Sequence, residues 1–430
     1  MTTSRHVKER RRAVILLGAL LLVAQTNVWR PTAQAPIAPR GFASSLAIGD
    51  RVLVWGGAAT GDLFSDGALY DPRADRWRAI AESPLSARTG ATIVWTGTEA
   101  LVWGGCCDER GRELGDGAAY DPAADRWRPV PAGPIGGRAA HTAIWSGREM
   151  LIWGGTRVAR PLDDGAAYDP AADRWRPLPE SPIEGRAAHA GVWSGQELLV
   201  WGGSSEDLLL ADGAAYHPAA DRWRPLPEAP LVARSEAAAA WSGEELLIWG
   251  GCCGGEARAF DDGAAYDPAA DRWRVLPEAP IPGRVAAASL WIDDQLVVWG
   301  GRTGVGESLG DGALYAPSTD RWAVFDAVLT PRTGVASGWA RGMLVLWGGC
   351  CGPDASPFAD GTRGRPAPLP EEVPAAPGSS SEQTGGAPGD PAAPSTGDDP
   401  AGSPLPFVLG GLALLLLALG YLSIRRRGGG

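Results

Sequence analysis

The tripeptide Trp-Gly-Gly occurs seven times, beginning at Trp55, Trp103, Trp153, Trp201, Trp249, Trp299 and Trp347, at steps of 48 or 50 residues. A supersecondary unit of this length cannot bury its apolar face alone and does so against the next copy, so the period constrains the fold before any single residue does. One clear copy runs Gly165-Ala166-Ala167-Tyr168-Asp169-Pro170, then Asp173-Arg174-Trp175-Arg176-Pro177, through Arg186 and Trp193 to Glu197-Leu198-Leu199-Val200-Trp201-Gly202-Gly203. Repetition also explains an odd composition, 20 Trp against 7 Tyr and 6 Phe.

Four short strands fit each unit. Strand A, such as Ala187 to Trp193, is rich in small residues, which suits an innermost strand crowded by its neighbours. Strand B, such as Leu198 to Gly203, is continuously apolar, the pattern of a strand buried on both faces. Strand C carries the Tyr, followed by an Asp-Pro turn, and strand D carries Arg-Trp. The paired glycines, Gly56 and Gly57, Gly104 and Gly105, Gly154 and Gly155, Gly202 and Gly203, Gly250 and Gly251, Gly300 and Gly301, and Gly348 and Gly349, mark positions of positive φ or close backbone approach.

A double Gly, then a Tyr, then a Trp seven residues after that Tyr in all six complete copies, from Tyr70–Trp77 to Tyr315–Trp322, resembles the kelch repeat. The resemblance covers roughly residues 27–365. It implies an all-β, seven-bladed propeller of four-stranded blades around a central channel, in the manner of galactose oxidase-like and kelch propellers. It also implies a surface module that presents loops to a protein or glycan. The alternative it leaves open is a sugar-acting enzyme, since some exported kelch-like propellers isomerise sialic acids or oxidise sugars.

The seventh copy has strand A (Thr333 to Trp339), strand B (Met343 to Gly349) and a degenerate strand C from Asp360-Gly361, but no Arg-Trp strand D. That strand stands at the other end of the chain. Asn27-Val28-Trp29-Arg30-Pro31 aligns with Asp271-Arg272-Trp273-Arg274-Val275, and Arg40 then aligns with Arg284 without a gap. Trp29 is therefore expected to close the last blade and remove the open edges of a broken ring.

The flanks read as topology signals. Arg5, Lys8, Arg10, Arg11 and Arg12 precede a 12-residue apolar stretch, Ala13 to Ala24, so residues 1–24 read as a signal peptide, with a twin-arginine variant left open. Residues 25–365 are the propeller, and 366–404 form a Pro/Gly/Ser-rich linker too poor in apolar residues to fold. Leu405 to Ile424 is an uncharged 20-residue stretch, the length of a transmembrane helix, and Arg425-Arg426-Arg427 opens a cytoplasmic tail, 425–430. Removal of the helix after export is the alternative. Both basic clusters place the propeller outside the membrane of a single-pass protein. Net charge is −11, and about −18 once the +4 of residues 1–24 and the +3 of the arginine triplet are set aside, which argues against a nucleic-acid partner.

Candidate sites are few. Cys106-Cys107, Cys252-Cys253 and Cys350-Cys351 each directly follow a Trp-Gly-Gly, in the three longest loops, 106–115, 252–261 and 350–359. In an oxidising compartment they are expected to form vicinal disulfides; metal binding and free redox thiols are the alternatives. Arg40, Arg88, Arg138, Arg186, Arg234, Arg284 and Arg332 open strand A of all seven copies. As a ring at the channel mouth they would attract anions; the competing reading pairs each with a nearby acid or carbonyl. His141 and His189 share one strand-A position, and His217 replaces a turn Asp. No Ser/His/Asp set, phosphate-binding loop or dinucleotide fingerprint is present. No catalytic site, metal or cofactor is therefore expected, and the propeller is expected to be monomeric.

Overall fold

In a computed structural model of the chain, the described residues are 29–367, apart from 109, 207, 254–257, 326–327 and 351–355. The expected signal peptide, most of the linker, the transmembrane helix and the tail lie outside them.

The described residues contain no helix and form seven four-stranded antiparallel sheets in the order A-B-C-D. In blade 3 these are Thr142–Trp145, Met150–Trp153, Gly165–Asp169 and Arg174–Pro177. Strand B is buried along its length, Leu198–Trp201 in blade 4 for instance, which accounts for its unbroken apolar sequence. Strand C is buried through Gly-Ala-Ala-Tyr because its small residues let neighbouring blades close on it.

Strand A departs from expectation. In blade 4 it spans Ala190–Trp193 rather than starting at Ala187. Ala187 makes a single bridge to Ser204, and Ala188 then turns into the left-handed region at φ 52° before the strand begins. The same kink, two residues after the arginine, recurs at Phe42, Gly90, Ala140, Glu236, Ala286 and Gly334.

The ring closes as the repeat count requires. Blade 7 consists of Ala336–Ala340, Met343–Trp347, Gly361–Gly364 and, from the other end of the chain, Arg30–Pro31. Arg30 pairs with Arg363 and Pro31 with Thr362, and the Thr32 amide donates to the Gly361 carbonyl. The Trp29 indole stacks on Phe325 at 6.0 Å, and a Cβ on Gly364 would meet it at 2.7 Å.

Tryptophan joins each blade to the next. At six of the seven boundaries the Trp of one Trp-Gly-Gly meets the strand-D Trp of the following blade, as Trp153 meets Trp223 at 5.5 Å and Trp347 meets Trp77 at 5.4 Å, and between blades 6 and 7 Trp29 stacks on Phe325 instead. In blades 1 to 6 the strand-D indole N–H donates to a carbonyl after strand D of the preceding blade, as Trp127 does to Ala81 at 2.9 Å. Each aromatic pair contributes about 0.5–1.5 kcal/mol beyond its buried area. A second link lies at the opposite end of the strands: Arg176 donates to the Tyr216 hydroxyl, which donates to Asp221.

Candidate functional site

The seven strand-A arginines do sit at the end of the blades that carries the B–C and D–A loops, but they are at most 1% exposed. In blade 4, Arg186 donates from Nε to the Glu184 carbonyl, from Nη1 to the Gly202 carbonyl at 3.1 Å, and from both Nη atoms to Asp212. The same bidentate pairing joins Arg40 to Asp66, Arg88 to Asp116, Arg234 to Asp262, Arg284 to Asp311 and Arg332 to Asp360, and Arg138 reaches Asp164 at 2.8 Å. The arginine carbonyl in turn accepts from the second glycine of the preceding blade, as Arg186 does from Gly155 at 2.8 Å. An anion-attracting ring requires free guanidinium donors. Here they are spent inside the blade, so that expectation is corrected: these side chains brace strands A, B and C together. The aspartates escaped the sequence reading, although an Asp-Gly begins strand C in all seven copies.

The kinked residues that follow the arginines define the channel mouth. Glu236 donates its amide to the Ala188 carbonyl at 2.9 Å, Ala188 does the same to Ala140 at 3.0 Å, and Phe42 to Gly334 at 2.8 Å, each across a blade boundary. Strand A being innermost, these residues form the narrow collar of the ring. Gly334 is required there: its φ is +61°, and a Cβ would meet the Phe42 ring at 2.6 Å.

Six collar residues are uncharged and one is acidic. Burial raises the Glu236 carboxyl above its ordinary value, with Arg302 of blade 6 pulling the other way. The closest approach of that pair is 3.8 Å.

His141 and His189 point between blades, each edge-on to a Trp at 5.2 Å, Trp103 and Trp153 respectively. Nε2 of His141 meets the Thr92 hydroxyl at 2.8 Å, whereas neither ring nitrogen of His189 has a partner. Burial holds both imidazoles far below their ordinary value, at about 3, helped by Arg138 and His189 in the first case and by Arg186 in the second. His217 lies in the blade 4 C–D turn, where its Nδ1 accepts from Ala220. No cluster of three metal-ligating side chains occurs among the described residues.

Cys106 lies against Cys107 and Cys252 against Cys253, sulfur to sulfur. Cys351 is outside the described residues, so the third expected pair is not described. The first cysteine of each pair is bridged through the backbone to the residue after the strand-A arginine: Thr89 to Cys106, Ser235 to Cys252 and Thr333 to Cys350. In the other four blades that residue is Gly41, Ala139, Ala187 or Val285. A hydroxyl thus accompanies each cysteine pair, and two of the three reach the collar, Thr89 donating to the Phe42 carbonyl and Thr333 to that of Ala286.

Comparison with known proteins agrees with this geometry. The family model described as the KLHDC2/KLHL20/DRC7 Kelch-repeats domain matches residues 44–234. The described blades and this match together fit a kelch-repeat β-propeller. Among solved structures, that of YjhT is similar in fold: 18% identical, covering 69% of this chain and 99% of the other, with a TM-score of 0.56. No curated protein sequence matches. Kelch propellers typically serve as protein-interaction modules.

Proposed function

We propose that this propeller is a membrane-tethered binding module that presents its B–C and D–A loop face, outside the cell membrane, to a protein or glycan. The observation that carries the binding reading is exposed apolar surface on that face. Val158, Leu208 and Val305, from the B–C loops of blades 3, 4 and 6, are 74%, 65% and 75% exposed. A fold that buries its strand-B and Trp side chains almost completely leaves such residues in water only at some cost, and apolar loop tips on one face suit a macromolecular partner. Pull-down and glycan-array screens with the protein, and with Val158→Asp and Leu208→Asp introduced together, test this. Retained ligand that the double variant loses supports it, and ligand held equally by both chains places the contact elsewhere.

The tether rests on the two basic flanks and the uncharged stretch 405–424. Protease added to intact cells should release a soluble propeller by cutting within 366–404, and a fragment released only after lysis refutes the orientation. The cysteine pairs are proposed as vicinal disulfides that stiffen the start of their loops. Non-reducing peptide mapping that finds free thiols at all six refutes this. A sugar-acting enzyme is the second reading, and the raised carboxyl of Glu236 at the collar favours it. Acid–base chemistry needs a second proton-transfer group within reach of that carboxyl, and the side chain paired with it is an arginine, so binding is the better-supported function.

A further inference from the structure

The carboxylate–guanidinium pairs that build this fold are closed. Arg186 meets Asp212 with both donors, at 2.8 and 3.2 Å, and Arg176 meets Glu149 at 2.7 Å. Glu236 and Arg302 are different. Their nearest atoms are 3.8 Å apart, too far for a hydrogen bond, and neither side chain makes a hydrogen bond among the described residues. Both are nevertheless withdrawn from solvent, with side chains 11% and 25% exposed. Both keep polar atoms within reach of solvent, so their unfilled hydrogen-bonding capacity stays open at the channel mouth. A fold that closes its other buried arginines so completely leaves this pair open at one place, the channel mouth.

The position is singular in the repeat. The six other collar residues are uncharged, and so are the six residues aligned with Arg302, namely Ala58, Cys106, Thr156, Ser204, Cys252 and Cys350. The two charges come from adjacent blades and meet nothing else of their kind.

We propose that Glu236 and Arg302 form a binding site for a small zwitterion, with the ligand's ammonium on Glu236 and its carboxylate on Arg302, as a free α-amino acid would offer. The site has no net charge. A simple anion would satisfy Arg302 but stand against the Glu236 carboxylate, and a simple cation would meet the reverse. A zwitterion answers both charges and leaves the buried complex neutral. The planar guanidinium suits a carboxylate held by two parallel N–H donors. Burial raises the Glu236 carboxyl, and a bound ammonium would draw it back toward the charged form. This site is distinct from the apolar loop tips proposed above for a macromolecule, so either can fail without the other.

The test is titration of the full chain, in mild detergent, with each of the twenty common amino acids, and with acetate and methylammonium as half-ligands. Calorimetry gives affinity and thermal unfolding gives stabilisation. We expect at least one amino acid to bind saturably and raise the melting temperature, with both half-ligands at least tenfold weaker. Glu236→Gln and Arg302→Gln should each weaken it at least tenfold, while Arg302→Lys, which keeps the charge and the fold, should retain measurable binding. Absence of saturable binding by the unmodified protein to any of the twenty overturns the proposal. A lowered melting temperature in the variants without such binding identifies a purely structural ion pair and equally overturns it. Binding undiminished in both Gln variants does so as well.

Discussion

The buried imidazoles of His141 and His189 make the stability of this propeller depend on pH. Both are held near a pKa of about 3, against about 6.5 for an unfolded chain. The folded value is depressed, so the unfolded state takes up the proton first. The stability each imidazole contributes is therefore complete above about pH 6.5 and falls as pH drops from there toward 3. Acidification from about pH 7.5 to about pH 5 ends roughly one and a half pH units below the unfolded value. At about 1.4 kcal/mol per unit it costs about 2 kcal/mol per histidine, or about 4 kcal/mol for both. His189→Leu removes two enclosed nitrogens that have no partner and should leave stability at pH 7.5 little changed, whereas His141→Leu also loses the Thr92 contact, worth about 1 kcal/mol. Denaturant unfolding followed by Trp fluorescence measures the difference between the two pH values in the native chain and in the double variant. Glu236, with its raised pKa, titrates with the opposite sign, but it is common to both chains and cancels. The double variant should lose about 4 kcal/mol less on acidification, each single variant about 2 kcal/mol less. A double variant as acid-sensitive as the native chain would show that both imidazoles are solvated and refute the reasoning.

Asp116→Ala leaves the buried Arg88 with only carbonyl and hydroxyl acceptors and should destabilise by about 2–4 kcal/mol, the cost of a broken buried pair discounted for the half-exposed Asp116. Asp108→Ala, at an exposed pair with Arg112, should cost no more than about 1 kcal/mol on the same unfolding curve. Gly334→Ala should lower the melting temperature because its Cβ strikes the Phe42 ring, and Phe42→Ala should recover most of the loss, since Ala140, Ala188 and Ala286 already tolerate the same backbone at φ 50–52°. Deleting residues 29–33 should cause aggregation or a marked fall in melting temperature, checked by light scattering and calorimetry; an unchanged transition would show that blade 7 does not need Arg30–Pro31.

What the sequence made legible was whatever repeats along it. Trp-Gly-Gly, the Tyr–Trp spacing and the gapless alignment of Trp29 with Trp273 led to blades, their strand order and the closing strand, because each is a local pattern tied to one strand. What it hid was non-local. Arg186 and Asp212 are 26 residues apart, and the offset grows to 28 where the B–C loop is longer, so the pairing emerges only when copies are aligned by strand and not by distance. The collar was hidden for another reason. Its left-handed kink is held by inter-blade hydrogen bonds rather than by residue type, and at Ala140 and Ala188 nothing in the local sequence announces it. Glu236 carried a signal that went unread, a lone acid in a column of Phe, Gly and Ala.

The seam in blade 7 joins residues 332 positions apart, Arg30 and Thr362. During synthesis Arg30 emerges early and must wait, unpaired, until almost the whole ring has been made. Six blades can assemble as a growing arc, each new sheet docking on the last, but the arc keeps two raw edges until its final strand arrives. Among the described residues the closing strand is a latch two residues long, and Trp29, Thr32 and Ala33 beside it add a ring stack and hydrogen bonds. Because Trp29 lies against Gly364, the chain also enters and leaves the ring at a single point on its rim. A pull applied between the two flanks would load that short latch before any other blade, which makes blade 7 the place where the ring would first open.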